Sequence, residues 1–435
     1  MTDSLNLMMA QISFLEPHLV LIHIPTGLYT LFLQPIQQLL FADDNDPDQE
    51  LNSSWTNRHD FLNVSITPEG VSVICTRYLA DKYFSPIQER WKDVIDGFEI
   101  VDETFTVIQV DGQGLDAGQR VLELTSPLAM AGISIFFITT YFSDFILVPT
   151  YARRTVTTAL EQRGFVFSRS ADAFVSQLSP ASPLLGHHHN RNNSQNSADW
   201  ILAPTTSHGL NMPSTPPAKD LPELQRRTFD KLRRNKISPV VDDEMRLLTC
   251  AGHDDDPSTS DRLKSDLLQV LISTSASSIA RTPAKSTNGA LNGHHDAVKP
   301  PSSAASFLSI TMTANDPISI FLEARLLDRL GGALLGNKSL DSEDVLVPIS
   351  FDLQALPMEA TGIVCGVAGC LAAGETGRER ELGSDAGPDS NLDITFLSTA
   401  KAGIVLVKEC DLDRAMQALR FGFEQVSSVV DEVAA

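Results

Sequence analysis

Runs of alternating apolar residues and runs at helical spacing follow one another in an order that recurs along this chain. Leu19 to Ile24 is a short apolar strand, and after Pro25-Thr26-Gly27 a helical pattern runs through Leu33, Ile36, Leu39 and Leu40 to the acidic loop Asp43 to Glu50. Phe61 to Ile66 and Val71 to Cys75 then flank Thr67-Pro68-Glu69-Gly70, a turn with Pro and Gly placed to reverse the chain. A second round has strand Phe105 to Val110, the Gly-rich loop Asp111 to Gly118, and a helix from about Arg120 to Met130. An apolar hairpin, a helix carrying Val156, Ala159 and Leu160, and a closing strand Phe165 to Phe167 complete it. The third round has strand Met245 to Cys250, a helix with Leu263, Leu267, Leu268 and Leu271 on one face, and the hairpin Phe307 to Met312 with Ile318 to Leu322. The fourth has strand Leu346 to Leu353, helix Gly362 to Ala373, a hairpin, and a helix with Leu412, Met416, Leu419 and Phe423 on one side.

Two rounds share wording as well as order. SPLAMAGISIFFITTYFSDFILVP (Ser126 to Pro149) is echoed by AGCLAAG (Ala368 to Gly374) and, after a polar insert, by LDITFLSTAKAGIVLVKE (Leu392 to Glu409). A duplicated unit builds a pseudo-symmetric interface, which is a natural ligand site. Units of this order bury one sheet face under helices. The predicted fold is α+β: tandem ferredoxin-like βαββαβ units of the kind small regulatory ACT domains use, four in two halves, joined by disordered linkers. The units are expected at 12–80, 97–169, 243–330 with a low-complexity insert at 273–303, and 344–428 with a polar insert at 375–391. Residues 170–242 are expected to be a linker, since Ser, Pro, Asn and His replace large apolar residues there. Within it the basic stretch Leu221 to Lys236 reads as a short helix, docking on a partner or on the acidic body of the protein itself.

At 435 residues the chain has room for several cores, and a net charge of −22 opposes general attraction to nucleic acid or anionic lipid. The five cysteines are widely spread, without metal-type CxxC spacing, which fits reduced thiols in a cytoplasmic protein. The N-terminus lacks the basic start and long apolar core of a secretory signal. The apolar run Ala129 to Tyr151 is broken by Asp144 and a polar turn, so a buried hairpin is expected and not a membrane span. There is no GxSxG elbow, Walker loop, HExxH or zinc-type spacing; no enzyme activity, metal or cofactor is expected. His187 to His189, and His294 with His295, fall in low-complexity stretches and read as solvated. Ser179-Pro180, Ser182-Pro183, Thr215-Pro216 and Ser238-Pro239 are weak candidates for proline-directed phosphorylation.

The chain resembles the CASTOR family, cytosolic arginine sensors built of four ACT domains that report to the TOR kinase pathway. The resemblance rests on Ser126-Pro127-Leu128-Ala129, Ile133-Ser134 and Ser143-Asp144-Phe145-Ile146-Leu147-Val148 in the first half. In the second it rests on Gly362-Ile363-Val364, Ala368-Gly369, Leu371-Ala372-Ala373 and Ser398-Thr399; near the start, Gly27-Leu28-Tyr29 and Leu39-Leu40-Phe41 also match. It covers both halves and fails over the linkers and inserts. It implies a small amino acid or related metabolite held between the second and fourth units, a protein partner in a nutrient-signalling pathway, and the option of a homodimer, with neither nucleic acid nor membrane as partner.

Carried over residue by residue, the resemblance implies ligand contacts at Glu123, Leu124, Gly362, Ile363, Thr399, Ala400 and Gly403. Gly362 and Ile363 stand at a helix start, where free N–H groups receive a carboxylate and Gly admits close approach; a tight strand-to-helix turn is the alternative. Glu123, followed by Leu124, aligns with the helix-start serine of the family and either meets an ammonium or is an exposed helix residue. The family pattern of Ser-Thr, three residues, then Asp here reads Ser398-Thr399-Ala400-Lys401-Ala402-Gly403. The guanidinium-binding carboxylate is thus Gly403 and the aromatic after Thr is Ala400, which argues against arginine as the ligand. Asp144 reads as a turn cap outside the pocket. The alternatives are an ACT scaffold without ligand binding and a regulatory subunit of an amino-acid biosynthetic enzyme.

Overall fold

The computed structural model describes residues 11–41, 55–111, 117–167, 218–252, 257–281, 304–336, 344–382 and 392–434. Unit 1 comprises β1 (Gln11–Ile24), α1 (Tyr29–Phe41), β2 (Phe61–Thr67), β3 (Gly70–Thr76), α2 (Arg77–Tyr83), α3 (Ser85–Trp91) and β4 (Glu99–Ile100). Unit 2 comprises β5 (Phe105–Asp111), α4 (Ala117–Met130), β6 (Phe136–Thr139), β7 (Asp144–Pro149), α5 (Arg153–Gln162) and β8 (Val166–Phe167). Then come α6 (Leu221–Arg234) and β9 (Val240–Val241). Unit 3 comprises β10 (Leu247–Gly252), α7 (Pro257–Arg281), β11 (Leu308–Thr313), β12 (Ser319–Glu323), α8 (Leu327–Leu330) and β13 (Leu334–Leu335). Unit 4 comprises β14 (Leu346–Asp352), α9 (Ile363–Leu382), β15 (Ile394–Ser398), β16 (Ala402–Lys408) and α10 (Leu412–Ala434).

The four units do not stand apart as tandem domains. Their strands join edge to edge in one ring, β10-β12-β11-β2-β3-β1-β5-β7-β6-β15-β16-β14, which β14 closes by pairing back to β10. The joins are unequal. Units 1 and 3 share six residue pairs from Phe61↔Thr313 to Ile66↔Leu308, and units 1 and 2 share the long β1–β5 ladder. Among the described residues, units 2 and 4 share one strand pair, Ile138↔Leu397, and units 3 and 4 one, Leu247↔Leu346. The ring is folded flat into two layers with helices outside each. Alternate residues of β1 show it: Val20, Ile22 and Ile24 face α1 and α7, whereas Leu19 and Leu21 face an inner layer with Phe105, Phe145, Leu397 and Leu406. Earlier in the same strand, Ile12 and Phe14 instead join the core under α4 and α9. β1 therefore passes from one layer to the other, and its register shifts between Leu15 and Leu19, around Pro17, which has no N–H to give to a ladder.

The helix expected over Leu221 to Lys236 is present, whereas the two inserts expected from 273 and 375 both begin as helix, the second because α9 runs to Leu382. The part of the expected linker from 218 onward carries α6, which docks on the protein's own body through Leu224, Phe229 and Leu232. Two bonds cap its start: Asp220 accepts the Glu223 N–H at 2.8 Å, and Glu223 accepts the Lys219 N–H at 2.7 Å. The low-complexity insert expected from 273 begins as helix, since α7 continues to Arg281. Thr274 and Ser275 there are buried, and Thr274 Oγ1 accepts the Ala305 N–H at 2.8 Å. The His runs, the Gly-rich loop from 112 to 116 and the Ser/Thr-Pro dipeptides before 218 lie outside the described residues.

Candidate functional site

The thin seam between units 2 and 4 holds a cavity of about 70 Å³. On the unit 4 side its wall is the start of α9 (Ile363, Val364, Val367), the strands β14 to β16 (Phe351, Phe396, Val405), and the hairpin turn Ser398 to Gly403. Unit 2 contributes Ile135 and Phe136, and the loop Leu353 to Ala360 covers it. That loop is two consecutive turns, with Leu356 N–H on the Leu353 carbonyl and Ala360 N–H on that of Pro357, both 2.9 Å. A smaller recess of about 20 Å³, bounded by Ala129, Ile133, Gly362 and Cys365, shares Ile135, Ala360, Ile363 and Val364 with the cavity.

Local chemistry fixes each wall. Gly362 has φ of +83°, which lets the chain turn sharply from the covering loop into α9. A Cβ there would lie 2.9 Å from Leu224 Cδ1 of α6. The Gly362 carbonyl accepts Thr228 Oγ1–H at 3.0 Å and the Thr361 carbonyl accepts Lys231 Nζ–H at 3.3 Å, so α6 holds the start of α9 from behind. Burial lowers the Lys231 pKa. In the hairpin turn, Thr399 Oγ1 takes the Ala402 N–H at 3.0 Å and donates to its carbonyl at 3.2 Å. The turn is tied to unit 1 as well: Ala400 N–H donates to Ser72 Oγ at 3.1 Å, and Lys401 pairs with Glu99 at 2.7 Å. His23 lies beside that pair, and its pKa is lowered by burial and then by Lys401, with Glu99 opposing.

The structure brings Gly362, Ile363, Thr399, Ala400 and Gly403 to this one place. Glu123 and Leu124 are elsewhere. Both sit in the middle of α4, not at its start; Glu123 pairs with Arg163 at 3.1 Å, and Leu124 is buried under α4. Sequence reasoning missed Ile135, Phe136 and the covering loop, although Ile133-Ser134 and the apolar letters of LQALPMEA were visible signals. Asp144 is not a turn cap, a role taken by Thr140, whose Oγ1 donates to the Ser143 carbonyl at 2.7 Å. Asp144 is 1% exposed and paired with Arg120 of α4; burial raises its pKa, and Arg120 opposes the rise. Among the described residues no cluster of metal-ligating side chains occurs, and no helix is long and apolar enough to cross a membrane.

The ACT-domain model matches residues 100–162 and 341–420, which are units 2 and 4, the pair that forms the seam. The chain therefore carries ACT-domain segments on both sides of the cavity. No curated protein matches the sequence. Among solved structures, an Agrobacterium tumefaciens protein is similar at 16% identity and a TM-score of 0.24, over 42% of this chain and 98% of that one. Aspartate kinase from Synechocystis is similar at 10% identity and a TM-score of 0.28, over 96% of this chain and 56% of the enzyme. The ligand-free regulatory subunit of aspartate kinase from Thermus thermophilus is similar at 11% identity and a TM-score of 0.26, over 35% of this chain and 96% of the subunit.

Proposed function

We propose that this protein is a non-enzymatic, amino-acid-binding regulator of the CASTOR type. A small amino acid or related metabolite binds in the seam between units 2 and 4, and occupancy is passed to a protein partner of the TOR pathway in the cytoplasm. The observation that carries this reading is the cavity itself, set in a seam with a single strand pair and flanked by the two ACT segments. The first N–H groups of α9 have no intrahelical acceptor and suit a carboxylate at the cavity edge. A ligand touching both units shifts how they pack by its differential affinity for the two arrangements, and a seam with little backbone pairing offers least resistance.

Thermal denaturation against the twenty amino acids tests the reading. A ligand at a hundred times its dissociation constant adds about 2.7 kcal/mol to stability. A flat response across the panel sinks it. Copurification with TOR-pathway proteins separates this reading from a regulatory subunit of a biosynthetic enzyme, which would bring down that enzyme instead. A second reading, an ACT scaffold without ligand, draws on the cavity's size, since about 70 Å³ does not admit a whole amino acid without some opening of the seam.

A further inference from the structure

Resting on that reading, we infer that the cavity selects the side chain of a branched aliphatic amino acid, of the class of valine, leucine and isoleucine. Its walls carry the argument. Phe351, Leu356, Ile363, Val367, Phe396 and Val405 present hydrocarbon, and among the described residues no carboxylate lines the space. The one charged lining residue, Lys401, is already paired with Glu99 at 2.7 Å. A ligand cation entering here would lose its water and find no counter-charge, and a second ammonium would face Lys401. The hydroxyls in the wall are engaged too: Ser398 Oγ accepts the Phe137 N–H at 3.0 Å, and Thr399 Oγ1 bonds both backbone groups of Ala402. The Thr399 hydroxyl has no hydrogen left to donate, so a polar side chain in this wall would depend on the O–H of Ser398.

Size sets the upper limit. One water needs about 10–15 Å³ of such space, so about 70 Å³ holds about five to seven water-sized groups. Isopropyl, isobutyl and sec-butyl groups fit well within that number, whereas an indole ring does not. The charged α-groups stay outside, toward the smaller recess at Gly362 and Cys365, where the first turn of α9 begins.

The test is calorimetric titration of the full chain with leucine, isoleucine, valine, arginine, lysine, glutamate and phenylalanine. It is repeated on Gly403→Val and, independently, Ala400→Val. Both positions line the cavity, and a Cβ at Gly403 meets nothing nearer than Leu353 Cδ1 at 3.4 Å, so the strand tolerates it. The expected result is heat from the aliphatic three alone, with affinity falling at least about tenfold in each variant that folds. Binding of a charged or aromatic amino acid in preference to these overturns the aliphatic assignment and leaves the seam reading standing. Aliphatic binding undiminished in both variants overturns the placement in this cavity. Silence toward all seven, with the rest of the twenty silent as well, overturns the seam reading too.

Discussion

Ser398 Oγ accepts the backbone N–H of Phe137 at 3.0 Å, and Thr139 Oγ1 accepts that of Phe396 at 3.3 Å, so units 2 and 4 hold each other by reciprocal hydroxyls where ladder bonds run out. All four residues are buried. Because Ser398 also lines the cavity, whatever enters there touches the clasp. Ser398→Ala leaves the Phe137 N–H buried without its partner, and a loss of about 1–3 kcal/mol in urea unfolding is expected. Thr139→Ala acts on the same seam. The double variant should depart from additivity, since both changes open one interface; strict additivity would count against a joint clasp.

The α6 helix packs so closely on α9 that a Cβ at Gly366 would lie 2.5 Å from Thr228 Oγ1 and 2.6 Å from its Cβ. Thr is short and stiff, so the two helices must separate. Gly366→Val is expected to release α6 and open its backbone to trypsin at Arg226 and Arg227, with Thr228→Ala restoring part of the protection. Unchanged cleavage in Gly366→Val would contradict tight docking.

Much of this architecture could be read from the sequence, and what could not has identifiable causes. Hairpins were legible because their turns are local: Gly70 has φ of +149°, and a Cβ there would lie 2.8 Å from His23 Cε1, so Gly follows Thr67-Pro68-Glu69 for reasons of space and backbone alike. Ring closure was not legible. Pairs such as Ile138↔Leu397 join residues far apart in sequence and leave no periodic trace. The composition of Ser273 to Ser277 suggests a linker and hides the end of α7, yet its hydroxyls bond back to the preceding turn, Ser273 to the Gln269 carbonyl at 2.8 Å and Ser277 to that of Ser273 at 3.0 Å. In the candidate site the hairpin turn and the α9 start were visible as Ser398-Thr399 and Gly362-Ile363. Glu123 and Leu124 lie away from the cavity because α4 begins at Ala117, which puts both in its interior.

His23 should give the seam region a pH dependence. Its folded-state pKa lies below the ordinary 6.5, so between those two values the unfolded chain binds a proton that the folded chain does not. Stability is therefore full above about pH 6.5 and falls as pH drops toward the folded pKa. His23→Gln should flatten that part of the unfolding free energy profile. An equal slope in the variant would assign the effect to other groups.

Asp144 works in the opposite sense. Burial raises its pKa, so it contributes stability below the ordinary carboxylate range that is lost as pH rises through the folded value. Removing its partner by Arg120→Met leaves a buried, uncompensated carboxylate and should cost about 3–5 kcal/mol at neutral pH. Asp144→Asn in the Arg120→Met background should recover most of it, read by urea denaturation at pH 7.

The thiols offer a check on packing. Burial pushes Cys75 up to about 12 and Cys365 and Cys370 up to about 11, and Cys250 is buried as well. Only Cys410 is exposed. A thiol reagent at neutral pH should modify one cysteine rapidly in the native protein and all five after unfolding. Rapid native modification of Cys365 would mean that the helix interface beside the recess opens readily.

If an amino acid occupies the seam between units 2 and 4 as proposed, backbone hydrogen exchange reads its presence directly. With and without a saturating mixture of amino acids, exchange is followed at the amides of Phe137 and Phe396, in the turn Ser398 to Gly403 and at the start of α9. Slower exchange at these positions on addition of the mixture, with little change in α1 or α7, is the predicted result. Identical exchange at the seam with and without amino acids would contradict it.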